Sequence, residues 1–336
     1  MKAHAPGRVN LIGDHTDYTG GLVLPMAIDL GTTVEGTTVE GADVEGAEVR
    51  LSSDEAPGDA VVPLTVTDPS SVAPPWARYV AGVVSVLRPA RGLVVSVRTT
   101  LPIGAGLSSS AALEVALALA LGFDGSAHQL AQACQRAEQV ASGVPCGVMD
   151  QLAAAAGVAG HALLIDCSTL SVEPVPLPAG VEVVVVHSGV RRELAGSAYA
   201  RRREECEAAE RALGVPLRDA TRADVAGLHD PLLRRRARHV VSENARVGAV
   251  ADAFPATDLT VVGEAMSASH ASLRDDFDVS TPELDALVAR LARTPGVIGA
   301  RLTGAGFGGC AVALVHAGAA VEGRRVRAAG GAHIVH

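Results

Sequence analysis

Lysine is almost absent from this 336-residue chain: Lys2 is the only one, and arginine supplies the rest of the 28 basic residues. That excludes chemistry built on a lysine in the body of the chain, such as a Schiff base or a P-loop lysine. Aromatic residues make up 2% of the sequence, too few for stacking single-stranded bases. A net charge of −9 argues against a duplex nucleic-acid binder, which shows a basic face. The five cysteines, Cys134, Cys146, Cys167, Cys206 and Cys310, are scattered and never in C-x-x-C spacing. Neither a disulfide framework nor a zinc site is expected. No apolar run approaches the roughly 20 residues that span a bilayer. Residues 1–6 carry one basic residue and no hydrophobic stretch, unlike a secretory signal. The expectation is a cytoplasmic, monomeric globular protein that meets neither nucleic acid nor membrane.

What is present is apolar and glycine-rich: 48% hydrophobic residues and 36 glycines. The length favours two domains, or one large α/β unit with a cleft. Strand-like pieces fall around 22–29, 32–40, 47–52 and 60–66, with a hairpin over 36–46. Trp76, Val80, Val83, Val84 and Leu87 recur at the helical period, and 93–100 alternates like a strand. Helices are expected at 111–121, 127–141 and 149–156, then strands at 161–166, 170–175 and 181–187. Pro174, Pro176 and Pro178 mark the change to a helix-rich second half, with helices at 194–213, 231–251, 259–272 and 282–293 and closing strands at 297–303 and 310–315. The runs Arg201-Arg202-Arg203 and Arg234-Arg235-Arg236 are expected on solvated helix faces. The division is 1–178 and 179–336, with no low-complexity linker, so the halves should pack closely around a cleft.

Three segments carry chemistry. In residues 7–21, Arg8, Asp14, His15 and Asp17 surround the apolar pair Leu11-Ile12, with glycines at both ends. Charged groups of both signs are costly to bury unpaired, so this cluster points to a polar ligand. The second segment, Leu101-Pro102-Ile103-Gly104-Ala105-Gly106-Leu107-Ser108-Ser109-Ser110, is a glycine turn and three hydroxyls ahead of a helix. Backbone N–H groups and the helix N-terminus form an anion cradle there. Mg²⁺ takes oxygen ligands, and Ser110, Glu138 and phosphate oxygens make a sensible set. Pro145-Cys146-Gly147-Val148-Met149-Asp150 places Asp150 in the first turn of an apolar helix, where a carboxylate is also favoured simply by the dipole. The third segment, residues 302–310, holds four glycines in six positions. That exceeds what a hairpin requires and suggests close approach to a ligand or a neighbouring loop.

These segments, in this order, resemble the three motifs of the GHMP small-molecule kinases, and the first resembles the signature of the galactokinase branch. The resemblance runs nearly end to end and includes Trp76-Ala77-Arg78-Tyr79-Val80, Ser197-Ala198-Tyr199-x-x-Arg202 and His270-Ala271-Ser272-Leu273. It implies an N-terminal mixed α/β domain and a C-terminal ferredoxin-like α+β domain with the site between them. It implies ATP-dependent phosphorylation of the galactose C1 hydroxyl, with ATP and Mg²⁺ required. Arg8 would lie at the transferring phosphoryl group. Asp14, His15 and Asp17 would bind sugar hydroxyls, with Gly147 and Tyr199 completing the pocket. Asp150 would face the C1 hydroxyl as base or as electrostatic partner of Arg8. Gly104, Ala105, Gly106, Leu107, Ser108, Ser109 and Ser110 would wrap the ATP phosphates, Ser110 and Glu138 would hold Mg²⁺, and Trp76 would flank the adenine. Asp14 stands where many galactokinases carry glutamate, and Ala305 where the third motif often has glycine. Two other readings stay open: a GHMP kinase for N-acetylgalactosamine, arabinose or a uronic acid, and a non-catalytic sensor of galactose and ATP.

Overall fold

In the computed structural model, residues 1–38, 47–56, 58–102, 104–190 and 195–335 are described. Most of the hairpin expected over 36–46, and the start of the helix expected at 194, lie outside them.

The chain opens with β1 (Lys2–Ile12), β2 (Leu22–Thr38), β3 (Glu48–Ser53) and β4 (Ala60–Pro63), then α1 (Ala77–Leu87) and β5 (Leu93–Thr99). Three helices follow, α2 (Ser109–Ala120), α3 (Ala127–Ser142) and α4 (Met149–Ala156), and then β6 (His161–Asp166), β7 (Ser171–Pro176) and β8 (Val181–His187). The second half is α5 (Ala195–Leu213), α6 (Arg222–Gly227), α7 (Pro231–Ala256), α8 (Leu259–Asp275), α9 (Pro282–Ala292), β9 (Val297–Thr303), β10 (Cys310–His316), β11 (Arg324–Val326) and β12 (His333–Ile334). The two pieces expected at 22–29 and 32–40 are one strand. Its first residues pair with β6, its middle with β1 and its end with β5. α6 escapes periodicity because it has only six residues and is set instead by a Thr221–Asp224 capping box. α7 passes the expected end at 251 and takes Pro255 into its last turn.

Among the described residues there are two sheets. One has the order β12-β1-β2-β5-β3-β4, with β6 and β7 joined through β2, and only β3 and β5 pair in parallel. The other is the antiparallel β11-β8-β10-β9. The inner strands β8 and β10 read as almost unbroken valine, alanine and leucine because both their faces are covered. α2 is buried on nearly every side. The halves share an apolar core: Leu11, Ile12 and Met26 pack with Val247, Phe254, Met266 and Leu314.

β1 departs from regular register twice, between Pro6 and Arg8 and between Asn10 and Ile12. Bulges re-aim side chains beside functional sites. At the first, Gly7 leaves room for the Leu107 carbonyl, which would lie 2.6 Å from a Cβ there and accepts the Arg8 N–H at 3.2 Å. The glycine loop of residues 104–110 is thereby docked on β1.

The arginine runs are only partly solvated, which corrects the expectation. Arg202 and Arg236 are buried and share Glu205, at 2.8 and 2.6 Å. Each run contributes one residue to an internal ion cluster because its helix turns that position inward.

Candidate active site

Arg8 leaves β1 just after the bulge and meets Asp150, in the first turn of α4, through two parallel bonds. Nε donates to Oδ1 at 2.7 Å and Nη2 to Oδ2 at 2.8 Å, the bidentate fork that fixes a guanidinium in one plane. Nη1 donates to the Gly106 carbonyl at 2.7 Å, which ties the pair to the glycine loop of residues 104–110. Ser108 completes the junction by donating its hydroxyl to Asp150 Oδ2.

That loop has strained geometry of a useful kind. Gly104 and Gly106 have φ of 77° and 79°, and Ser108 sits at φ 60°, ψ 48°. Ser108 holds the N-cap position of α2 but makes no capping bond. Its hydroxyl goes to Asp150 and that of Ser110 to Glu138 Oε1 at 2.9 Å. The first-turn N–H groups of α2 therefore have no side-chain cap, the condition for receiving an anion.

Arg8, Asp14, His15, Asp17, Gly147, Asp150 and Tyr199 all line one hollow of about 310 Å³, together with Glu138, Gln151, Tyr79, Gly304 and Ala305. This is the low end of the size usual for small-molecule sites. A larger hollow of about 700 Å³ lies over α6, α7 and α8, but it holds none of these groups. Trp76 is not among the lining residues of the smaller hollow. It precedes α1, packs against the core of the first sheet, and buries its Nε1 without a hydrogen-bond partner.

The loop that carries Asp14, His15 and Asp17 is held from the opposite half of the chain. Asp14 is 1% exposed. Its Oδ2 accepts from Arg301 Nη2 at 2.6 Å and its Oδ1 from the Gly304 N–H at 3.0 Å. Its carbonyl lies 3.0 Å from His239 Nε2. A carbonyl only accepts, so His239 carries its proton on Nε2, and burial lowers its pKa to about 4 and keeps it neutral. The same reasoning assigns His15, whose Nε2 lies 3.1 Å from the Ala305 carbonyl, leaving Nδ1 to the Tyr18 hydroxyl at 3.0 Å. Both His15 nitrogens have protein partners, so a sugar hydroxyl must share or replace one of them.

Asp17 abuts Gly147: a Cβ added there would fall 2.0 Å from Asp17 Oδ2. Burial first, then the neighbouring Asp150 and Asp14, push the Asp17 carboxyl up to about 7. Burial and Asp150 likewise push Glu138 up to about 7. Gln151 donates its amide to Glu138 Oε2 and to Glu114 Oε2 at 3.2 Å. Glu114 itself is fully buried and raised well above the carboxylate range, chiefly by burial. All three tyrosines of the chain gather here: Tyr79 and Tyr199 line the hollow, and Tyr18 and Tyr199 pack on the His15 ring at 5.8 and 5.5 Å.

Sequence reasoning missed Arg301, Glu243, His239 and Gln151 and gave Tyr79 no role, but it expected the third glycine loop to approach a ligand or a neighbouring loop, and that loop does meet Asp14 and His15. The available signal for Arg301 was a lone charge inside the apolar strand that leads into that loop. The loop's glycines now have a reason. Gly304, Gly306, Phe307, Gly308 and Gly309 all have positive φ, and the turn so formed places one N–H on Asp14 and one carbonyl on His15.

Comparison with known proteins bears on this geometry. A galactokinase galactose-binding signature matches residues 1–38, the GHMP kinase N-terminal domain 78–158 and the GHMP kinase C-terminal domain 250–332. The chain is 47% identical to the galactokinase of Chloroflexus aurantiacus over 94% of its length and 84% of that protein. It is 44% identical to the human galactokinase, covering 97% of this chain and 86% of that one. Lactococcus lactis galactokinase, solved in complex with galactose, superposes with a TM-score of 0.91 at 32% identity, covering 99% and 95% of the two chains. The mevalonate kinase of Methanococcus jannaschii shares the fold at a TM-score of 0.71 and 19% identity.

Proposed function

Since this chain belongs to the galactokinase family of ATP-using GHMP kinases, we propose that its 310 Å³ hollow binds galactose and that the phosphoryl group enters from the α2 loop. The activity is ATP-dependent phosphorylation of galactose, with the C1 hydroxyl as acceptor. One observation carries the reading: the Arg8–Asp150 fork lines the hollow and is bonded to the glycine loop through Gly106 and Ser108, so it stands where the two meet.

In this reading Asp14, Asp17 and Tyr199 take sugar hydroxyls, and Gly147 sets the wall against Asp17. His15 holds the third loop and Tyr18 in place and shares a nitrogen with the sugar. Asp150 orients the C1 hydroxyl, and Arg8 stabilises charge spreading over the γ-phosphoryl oxygens. The C1 oxygen forms the new bond to phosphorus as the bond to the bridging oxygen of ADP breaks. In a loose transition state the nucleophile keeps its proton until late, so Asp150 is needed for orientation before it is needed as proton acceptor. Residues 104–110 wrap the phosphates, with Trp76 toward the adenine.

Ser110 and Glu138 fit a divalent cation. They are hydroxyl and carboxylate oxygens 2.9 Å apart, and burial with the neighbouring Asp150 disfavours the Glu138 charge, which a bound cation would offset. Among the described residues no three His, Cys, Asp or Glu form a metal cluster, so the remaining ligands would be phosphate and water oxygens. Bound Mg²⁺ supplies charge neutralisation for the phosphates. Residues 1–178 and 179–336 are the two units whose junction makes the site. Among the described residues no helix is long and apolar enough to cross a membrane.

The test is coupled ADP release over galactose, N-acetylgalactosamine, arabinose and galacturonate. Galactose-dependent turnover is expected. Turnover with another of these sugars alone would move the substrate, and galactose binding without ADP release would make the chain a sensor.

A further inference from the structure

We propose that Arg301 is a positioning residue for sugar recognition, acting from β9 by holding the Asp14 carboxylate charged and aimed into the hollow. The inference rests on the galactokinase reading above.

Arg301 is fully buried. Its Nη2 reaches Asp14 Oδ2 at 2.6 Å, and its Nη1 donates to the Leu11 carbonyl at 3.1 Å, at the second irregularity of β1. Behind it stands Glu243, 3.9 Å from the same Nη2. Glu243 is fixed by the Gly13 N–H at 3.0 Å, the Ser269 hydroxyl at 2.5 Å and Arg246 Nε at 2.7 Å. Burial opposes its charge, yet Arg301 and Arg246 hold its pKa down to about 2. The guanidinium is thus pinned between a fixed carboxylate and the sugar-loop carboxylate.

Asp14 receives one donor on each oxygen, Arg301 on one and Gly304 on the other. An ionised carboxylate offers about four acceptor sites, so sites remain for hydroxyls in the hollow that Asp14 lines. A carboxylate this deeply buried is charged only if a cation compensates it. Arg301 is the main group opposing the burial that pushes Asp14 up. The other charged or titratable groups facing Asp14 are Arg8 on β1, His15 and Asp17 on its own loop, and His239 and Glu243 on α7. None of these replaces Arg301: Arg8 is committed to Asp150, His239 is neutral, and Asp17 and Glu243 are acidic. The tether also sets reach. An aspartate bonded to β9 stays at the back wall, so the sugar must come to it.

The experiment compares wild type, Arg301→Lys and Arg301→Met by coupled ADP release, titrating galactose at saturating ATP and the reverse. The Met variant should raise the KM for galactose at least tenfold while the KM for ATP stays within twofold. Its kcat/KM for galactose should go on rising with pH after that of wild type has levelled, because Asp14 then ionises without a guanidinium. The Lys variant should recover most of the loss. Should Arg301→Met not fold, Asp14→Asn must give the same rise in galactose KM, and adding Arg301→Lys to it must change that KM less than twofold. Equal rises in both KM values, or an unchanged galactose KM in folded Arg301→Met, would overturn the proposal. A wild-type protein that turns over no galactose would instead refute the functional reading.

Discussion

Gly147→Ala adds one methyl group at a place where the structure states what it must hit. The new Cβ would lie 2.0 Å from Asp17 Oδ2, 2.4 Å from Cγ and 2.9 Å from Cβ. Against the 3.4 Å at which contact becomes ordinary, the carboxylate oxygen is about 1.4 Å too close. Turning the carboxylate relieves the first two contacts but not the third, because the Asp17 Cβ is fixed to its backbone. The loop or the start of α4 therefore has to move. Over-packing of this kind costs about 1–3 kcal/mol, and about 1.4 kcal/mol is a factor of ten. The displacement falls on a group proposed to bind sugar, so kcat/KM for galactose should drop about 10- to 100-fold. The KM for ATP should stay within twofold, since the three nearest contacts of that Cβ are all with Asp17. Coupled ADP release with galactose titrated at saturating MgATP reads both quantities. Gly248→Ala is the control: in α7 an added Cβ meets nothing within 4 Å, and activity should be unchanged. A Gly147→Ala enzyme within twofold of wild type for galactose, at unchanged Tm, would refute the reasoning that Gly147 and Asp17 form one wall of the sugar site.

Asp150→Ala should lose at least ~10²-fold in kcat, the range of positioned acid–base groups, measured by single-turnover ADP release; near-normal turnover would remove it from the site. Asp17, raised to about 7, is protonated below that pH and charged above it. At saturating MgATP, kcat/KM for galactose should fall about tenfold per pH unit below 7 and level off above 8, and Asp17→Asn should be slower with this limb flattened. Glu138→Gln should weaken Mg²⁺ binding to the nucleotide complex by about tenfold or more, read by isothermal titration, with galactose affinity little changed. Glu205→Leu leaves Arg202 and Arg236 buried without their shared carboxylate. The expected loss is about 3–5 kcal/mol of stability, seen as a lower denaturation midpoint.

The helices α1 to α5 and α7 to α9 were legible, α2 as a stretch apolar nearly all round and the others as runs of helical length between turn signals. The motif residues Arg8, Asp14, Asp17, Gly147 and Asp150 were legible because their chemistry lies within short segments. The merger of two strands into β2 was not, since the Asp29-Leu30-Gly31 stretch looks like a break until β1 runs beside it. The inward turn of Arg202 and Arg236 was hidden because a run of three arginines looks equally solvated from every side of a helix.

By itself the sequence determined the reaction class and most of the side chains that the structure gathers around one hollow. Tertiary structure alone decided what those groups are bonded to. Asp14 meets Arg301 and Gly304, His15 meets Ala305, and Arg8 meets Asp150, contacts spanning between 142 and 290 positions of chain. A residue's donors and acceptors are fixed by its type. Its charge state and aim depend on partners brought beside it by packing, and no local pattern encodes them.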